Sequence, residues 1–525
     1  MATTVRSADP PAAKGVTAPR LGGLHALLFA AYPVLFLWSE NIDEIAPDQA
    51  VEPLLIAVGA AALATLVLGL ILGDLRRSAL VVTPVVFGAL MYGHVAALSH
   101  LRPEVLALAW AALVVLGMIG AARLGPKALA TVDGLLLVLG SVLVAVPLIT
   151  IVPRTVEDAM APRPILASDT TLPKTTTAPK RDVYWLVFDR YGSDRSFELQ
   201  FGVKNDLTPW LRDRGFTVLD DSHANYVSTA LSLSTTMNMT HLDSLIGNAS
   251  RGSSSYAPVH SAMQASRVVR QFRALGYHYE HLGSWWNPTR TDAAADVNHN
   301  ADTASEFSTV LVEMSVLPVA IEALGIEQEP PSESTKHRTH NTYALDTLDR
   351  LARQPGPKFV FGHVLLPHPP YVFDRDGRYM APDEQATLAT ADRWHRQLDY
   401  TNQRLKAFLE RLFALPPDQR PIVILQADEG PWIDDFAAAR DTYDWGSASP
   451  DELEIKFGIL NAWYLPGGED LDLDPAMTAI NTFPVLFARY YGLEGYALLP
   501  DRVASSPTQL PYRLTDVTER LPSLR

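Results

Sequence analysis

The chain has no cysteine. That removes disulfides, thiolate nucleophiles and cysteine-based zinc sites together, and it fits an exported domain that holds itself by packing. There is no basic excess either. The 43 Lys and Arg face 58 Asp and Glu, a formal charge of −15, whereas a nucleic-acid surface is basic. The acids read as a solvated surface. Charge is also missing from the interiors of five long apolar runs, near 22–38, 51–72, 78–98, 104–122 and 132–152, where His94 is the titratable side chain of note. That absence argues against an ion or proton path through a bilayer, and so against a transporter. No internal repeat is visible.

What the sequence does hold begins with those runs. Each has the length, about 17–22 residues, that a helix needs to cross a hydrocarbon core. Four runs follow the first, so a cleaved signal peptide is the weaker reading. Arg6, Lys14 and Arg20 precede the first run, Arg76 and Arg77 join the second and third, and Arg123 and Lys127 join the fourth and fifth. The alternate loops hold Arg102 and the acids Glu40, Asp43, Glu44 and Asp48. Positive charge stays inside. The N-terminus is therefore expected in the cytoplasm, and everything after about residue 153 outside it, in a multi-pass protein of the cell membrane. Tyr32, Phe36, Trp38 and Tyr92 are expected at lipid or at the interface.

The organisation expected is a five-span transmembrane domain over 1–152, a Pro/Thr-rich extracytoplasmic linker over 153–181, and a catalytic domain over 182–525. From Val183 on, strand-length apolar runs at 183–188, 216–219, 277–281, 359–366, 421–427 and 457–465 alternate with helical periodicity at 259–274, 340–353 and 385–414. That pattern predicts an α/β domain with a mainly parallel central sheet. Segments 284–335 and 430–455 read as long loops or insertions.

Ligands of open α/β sheets sit beyond the carboxyl ends of the strands. Two apolar strands deliver acids there, Asp189 after 183–188 and Asp428-Glu429 after 421–427. Asp189 alone reads as a helix N-cap or loop contact. Beside two adjacent acids followed by Gly430 and Pro431 it points to a cation that offsets their repulsion. Thr229 stands where the loop from His223 turns into a helix. Either Thr229 or Ser228 is an ordinary N-cap, or Thr229 is a nucleophile activated by the helix N-terminus and a divalent metal.

With these segments in view, residues 181–495 resemble the alkaline phosphatase/sulfatase superfamily, and within it membrane-bound sulfatase-like proteins of the lipoteichoic acid synthase (phosphoglycerol transferase) type. The anchors are 183–192, 225–243, 283–290, 359–373, 422–431 and 457–466. The resemblance implies a metal held by Asp189, Thr229, Asp428 and Glu429, with Thr229 as catalytic nucleophile. Synthases often have Glu where Asp189 stands, and the commoner motif is Asp-His-Gly where this chain has Asp428-Glu429-Gly430. An all-oxygen ligand set favours Mn²⁺ or Mg²⁺, with Ca²⁺ or Zn²⁺ as alternatives. His281, Trp286, Arg290 and His368 fall where the family surrounds the substrate, and His363 is a weaker substrate contact. Formylglycine sulfatase chemistry is excluded, because Thr229-Ala-Leu-Ser-Leu lacks the Cys or Ser, the Pro and the Arg which that motif needs.

The function expected is transfer of a phosphoryl-linked group, such as phosphoglycerol or phosphoethanolamine, through a covalent Thr229 intermediate. The donor expected is a membrane lipid, and the acceptor an envelope glycan or lipid. The alternatives are a phosphoester hydrolase using the same residues and a non-catalytic envelope assembly protein, which the Glu at 429 would signal.

Overall fold

The computed structural model describes residues 22–42, 45–161, 163–166, 172–247, 251–301, 304–326, 332–440, 442–468 and 471–521. It divides into two compact units.

The first unit holds the chain to Glu40, Ala50–Thr150 and Met314–Ala320. All five apolar runs are helical: α1 (His25–Glu40), α2 (Pro47–Leu72), α3 (Leu75–Leu90) with α4 (Tyr92–Ser99), α5 (Pro103–Arg123) and α6 (Pro126–Met160). Among the described residues three helices are long and apolar enough to cross a membrane, α2, α5 and α6; a fourth span arises if α3 and α4, bent by 62° at Met91, are taken as one. α1, at 16 residues, is shorter.

Polar contacts gather alternate helix ends. Asp133, early in α6, accepts from Gly23 N (2.8 Å) and lies 3.5 Å from Arg76 Nε at the start of α3 and 3.6 Å from His25 Nε2 at the start of α1. Arg77 donates to Leu124 O (2.8 Å), capping the C-terminal end of α5. So the fifth apolar run does carry an acid near its start, buried and paired. Trp38 and Tyr92, expected at lipid, are buried instead, and Tyr32 stacks on Phe36 and Phe87.

The second unit holds Asn41–Gln49, Ile151–Glu313 and the chain from Ile321. Its sheet has seven strands: β1 (Val183–Phe188), β2 (Thr217–Val218), β3 (His278–Leu282), β4 (Val297–His299), β5 (Lys358–Val364), β6 (Ile422–Gln426) and β7 (Asn461–Tyr464), in the order β2-β7-β6-β1-β5-β3-β4. β6, β1, β5, β3 and β4 run parallel; β7 is antiparallel to β6, and β2, antiparallel to β7, closes that edge. β1 is buried at every position: Tyr184, Leu186 and Phe188 enter one core cluster and Trp185 and Val187 the other. A strand covered on both faces explains the unbroken apolar run that the sequence shows there.

Several elements differ from expectation. α6 runs on to Met160 through the first part of the predicted linker. Arg154 pairs there with Glu157 and Asp158, and Glu157 accepts from Ser253 and Ser254. The predicted helix at 259–274 breaks in two because Ser266 caps a new start. The run at 457–465 is a strand only from Asn461, since Ser449 opens a capping box and 450–457 is helical. The helix expected from His340 begins seven residues earlier, at Glu333, capped by Ser332.

Candidate active site

Parallel pairing decides which residues meet. β1 lies between β5 and β6, with Val187 opposite both His363 and Gln426. The chain therefore leaves β1 at Asp189 and β6 at Asp428 at the same end of the sheet, with His363 on the last turn of pleat in β5. Asp189, His363 and Asp428 are all buried, and each offers a ligand atom within 4.8 Å of the other two. His363 Nε2 is 3.8 Å from Asp189 Oδ2. Among the described residues Asp189 Oδ1, Asp428 Oδ2 and His363 Nε2 have no hydrogen-bond partner, and Asp189 Oδ1 lies 3.9 Å from Arg190 Nε. Buried polar atoms left without such partners, on side chains whose ligand atoms gather this closely, are costly unless a cation joins them. Two carboxylates and an imidazole fit a divalent metal.

The ionisation states agree. Burial, reinforced by Asp428, pushes the Asp189 carboxyl well above its usual range. Burial and the Glu429 charge push Asp428 up to about 7. His363 is pushed down to about 3 by burial, with His281 adding to the effect, so its ring is neutral as a metal ligand requires. Its Nδ1 bonds Thr289 Oγ1 at 2.8 Å, which fixes the ring and leaves Nε2 facing Asp189.

Thr229 is the first residue of the helix Thr229–Asn238. Its side chain is close enough to the Asp428 carboxyl to oppose the rise of that group's pKa. Ser228 occupies the N-cap position but makes no capping bond, and its Oγ is buried without a partner. The N-cap role weighed against catalysis is therefore not what these hydroxyls do.

Glu429 is not brought into the group of three. Oε1 accepts from Arg190 Nε (3.2 Å) and Trp432 Nε1 (2.9 Å), and Oε2 is 2.8 Å from Lys456 Nζ. Burial raises its pKa, but Lys456 and Arg190 outweigh that and leave the carboxylate below its usual range. Arg190, held at φ +59°, stacks on Trp432 with Cζ 3.5 Å from the ring centroid. Lys456 is fully buried, in a segment where charged and apolar residues alternate from Glu452 to Phe457.

Gly430 makes that contact possible. Its N–H donates to Lys456 O (2.8 Å), and a Cβ there would stand 2.1 Å from Ile455 O. Gly430→Ala is expected to force the backbone at 455–458 away from Glu429, at a cost of about 1–3 kcal/mol. A lowered thermal midpoint together with weakened metal binding would show it; an unchanged protein would contradict the close approach.

The predicted substrate residues separate. His281 is buried, bonded to Tyr279 OH (3.1 Å) and to Thr289 O (2.9 Å), and so supports the loop that positions His363. Trp286, half-buried, stands edge-on to His363 with ring centroids 5.9 Å apart. His368, also half-buried, lies against Trp285 and His337, and burial with the charge of Arg190 holds it well below its usual pKa. Arg290 is half-buried and reaches Ala304 O. Lys456, Trp432, Lys336 and His337 were not singled out in the sequence.

No family model matches the chain, and no curated protein matches it. Among solved structures it is similar to the integral membrane lipooligosaccharide phosphoethanolamine transferase A from Neisseria meningitidis, at 14% identity and a TM-score of 0.41 over 89% of this chain and 95% of that one. It is similar also to the C-terminal periplasmic domain of EcEptC from Escherichia coli in complex with Zn, at 14% identity and 0.41 over 67% and 98%. A third is the phosphonate monoester hydrolase of Agrobacterium radiobacter, at 11% identity and 0.36 over 62% and 80%. These likenesses do not single out the lipoteichoic acid synthase type. At these identities and TM-scores the chemistry has to rest on the chain's own residues.

Proposed function

We propose that this protein is a metal-dependent phosphotransferase of the cell membrane that takes a phosphoryl-linked group from a lipid donor. One observation carries the reading: Asp189, His363 and Asp428 gather buried ligand atoms within 4.8 Å of one another at the ends of three adjacent parallel strands, with Thr229 beside Asp428. The expected all-oxygen ligand set gives way to one with imidazole nitrogen, because Glu429 is held by Lys456 and Arg190. Nitrogen in the set moves the preference to Zn²⁺ or Mn²⁺ and away from Mg²⁺ and Ca²⁺.

A divalent cation held by Asp189, His363 and Asp428 supplies positive charge against the phosphoryl oxygens and eases deprotonation of a nearby hydroxyl. The rest is done by side chains. Thr229 Oγ1 attacks phosphorus, its proton passes to the neighbouring Asp428 carboxylate, and the bond from phosphorus to the departing alcohol breaks as that oxygen takes the proton from Asp428. An acceptor hydroxyl then attacks phosphorus, the Thr229 Oγ1–phosphorus bond breaks, and the acceptor's proton passes through Asp428 back to the Thr229 oxygen. Arg190 and Lys456 keep Glu429 charged and engaged, so the site holds two ligating carboxylates, not three. Apolar helices of spanning length in the same chain support a lipid donor such as a phosphoethanolamine or phosphoglycerol lipid. The alternating basic helix ends support five crossings, with the N-terminus in the cytoplasm and the catalytic unit outside.

The test is diacylglycerol release from a headgroup-labelled phospholipid by the full chain in detergent with Zn²⁺ or Mn²⁺. Release lost on chelation and in Asp428→Asn supports the reading, and release indifferent to both refutes it. Label recovered on an added envelope acceptor marks a transferase; label in water marks a hydrolase.

Two further outcomes follow. His363→Ala should lower metal affinity by at least about 10–100-fold, since even outer partners of ligands contribute that much; retained affinity in a metal titration would remove His363 from the set. Metal binding should also strengthen as pH rises through about 7, because the Asp428 proton must leave for the ion to bind. In the metal-free protein the same raised carboxyls contribute stability that is full below their unfolded pKa and is lost as pH rises through about 7. The thermal shift produced by added Mn²⁺ should therefore grow from pH 6 to pH 8, and a shift independent of pH would contradict the protonation scheme.

A further inference from the structure

Beside the metal centre stands a second group of nitrogen donors that the transfer chemistry does not use. The helix Glu333–Leu351 contributes Lys336 and His337, which are 6% and 1% exposed. Both meet Trp285: Lys336 Nζ is 5.3 Å from its ring centroid, and the indole Nε1 bonds His337 Nδ1 at 3.2 Å. The His337 ring lies 6.4 Å from that of His368, nearly parallel to it, and His368 follows the strand that carries His363. The group is thus continuous with the candidate active site.

The Trp285 contact fixes the chemistry of His337. An indole N–H can only donate, so Nδ1 must accept and bears no proton. Burial, with the charge of His340 adding to it, pushes the ring down to about 3, so it is neutral at physiological pH. A neutral imidazole with a bare Nδ1 carries its proton on Nε2. That Nε2–H is buried and has no hydrogen-bond partner among the described residues, and neither has Lys336 Nζ. Burial pushes Lys336 down to about 8, against the pull of Glu306 and with the push of Arg290, so the ammonium is mostly charged at pH 7. Two adjacent buried donors without an acceptor call for a ligand that accepts. A metal ion does not fit, because neither nitrogen offers a lone pair. An oxyanion does.

We propose that Lys336 and His337, beside Trp285, bind an oxyanion of phosphate type on the substrate, distinct from the phosphorus attacked by Thr229. The proposal deepens the phosphotransferase reading and rests on it for the word substrate, though not for the anion site itself. A phosphate carried on a lipid headgroup and a phosphate on a soluble molecule present the same oxygens to these donors.

Inorganic phosphate titrated into the full chain in an uncharged detergent, with EDTA present and Trp fluorescence or heat as readout, tests it. The parent is expected to bind saturably. Lys336→Met and His337→Phe are each expected to weaken binding at least about tenfold, as loss of a charge-assisted or buried donor does, while Lys336→Arg retains most of it. Lys336→Met deletes an unpaired buried charge, so its thermal midpoint should not fall; His337→Phe provides the independent variant. Asp428→Asn, which cripples the metal centre, should leave phosphate binding intact, and this separates failure of the anion site from failure of the proposed reaction. Phosphatidate mixed into the micelles and competing below the phosphate concentration assigns the anion to a lipid headgroup; no such competition assigns it to a soluble phosphate. Absence of saturable binding, or binding lost in Asp428→Asn and kept in Lys336→Met and His337→Phe, overturns the proposal.

Discussion

Thr229→Ala is expected to lower the rate of phosphoryl transfer by about 10³-fold or more, the scale on which removing a nucleophile acts. The protein should otherwise be little changed. Thr229 is half-buried, the N-cap position belongs to Ser228, and no capping bond depends on either hydroxyl. A substitution away from such features moves stability by about 0.5 kcal/mol or less. Loss of rate without loss of thermal midpoint, and with metal affinity largely kept through Asp189, His363 and Asp428, would assign the hydroxyl to the chemistry. Thr229→Ser, which keeps the hydroxyl, should retain most of the rate. A Thr229→Ala protein as active as the parent would mean that water attacks phosphorus directly.

The largest expected effect on stability is at Lys456. Its ammonium is fully buried, 2.8 Å from Glu429 Oε2, and 5.3 Å and 5.6 Å from the rings of Phe436 and Trp432. Burial pulls its pKa down while Glu429 opposes the fall. Lys456→Met removes one partner of a buried pair and leaves Glu429 with Arg190 and Trp432 alone, a change that costs about 3–5 kcal/mol. The double variant Lys456→Met/Glu429→Gln should lose less than the single one, since no uncompensated carboxylate remains. A Lys456→Met protein with an unchanged thermal midpoint would indicate that Glu429 is neutralised by something else, and a bound cation would then be the first choice. The pair thus tests whether Glu429 belongs to the metal or to the lysine.

Most of the sheet was legible because strands buried on both faces leave uninterrupted apolar runs: 183–188 coincides with β1, and 421–427 encloses β6. Acids at the ends of such runs are conspicuous, which is why Asp189 and Asp428 were found. Glu429 is equally conspicuous, but its partner is not. Lys456 lies between the segment read as an insertion, 430–455, and the apolar run at 457–465, and only the fold brings it, 27 residues on, against Glu429. His363 was seen as a substrate contact because a sequence shows that a histidine ends a strand, not which neighbouring strand it faces. The register of β5 on β1 supplies that. Lys336 and His337 were missed because the helix was taken to begin at His340, where its apolar periodicity starts; the first two turns are polar outside the site and earn no hydrophobic signal.

The central claim is that Thr229 carries the transferred group. Intact-protein mass spectrometry of the parent and of Thr229→Ala, after incubation with Mn²⁺ or Zn²⁺ and a phosphoethanolamine or phosphoglycerol lipid and an acid quench, tests it most directly. The account predicts a mass increase on the parent equal to the phosphoryl-linked headgroup, localised to Thr229 and absent from the variant and from a metal-free control. An adduct-free parent whose turnover Thr229→Ala shares would contradict it.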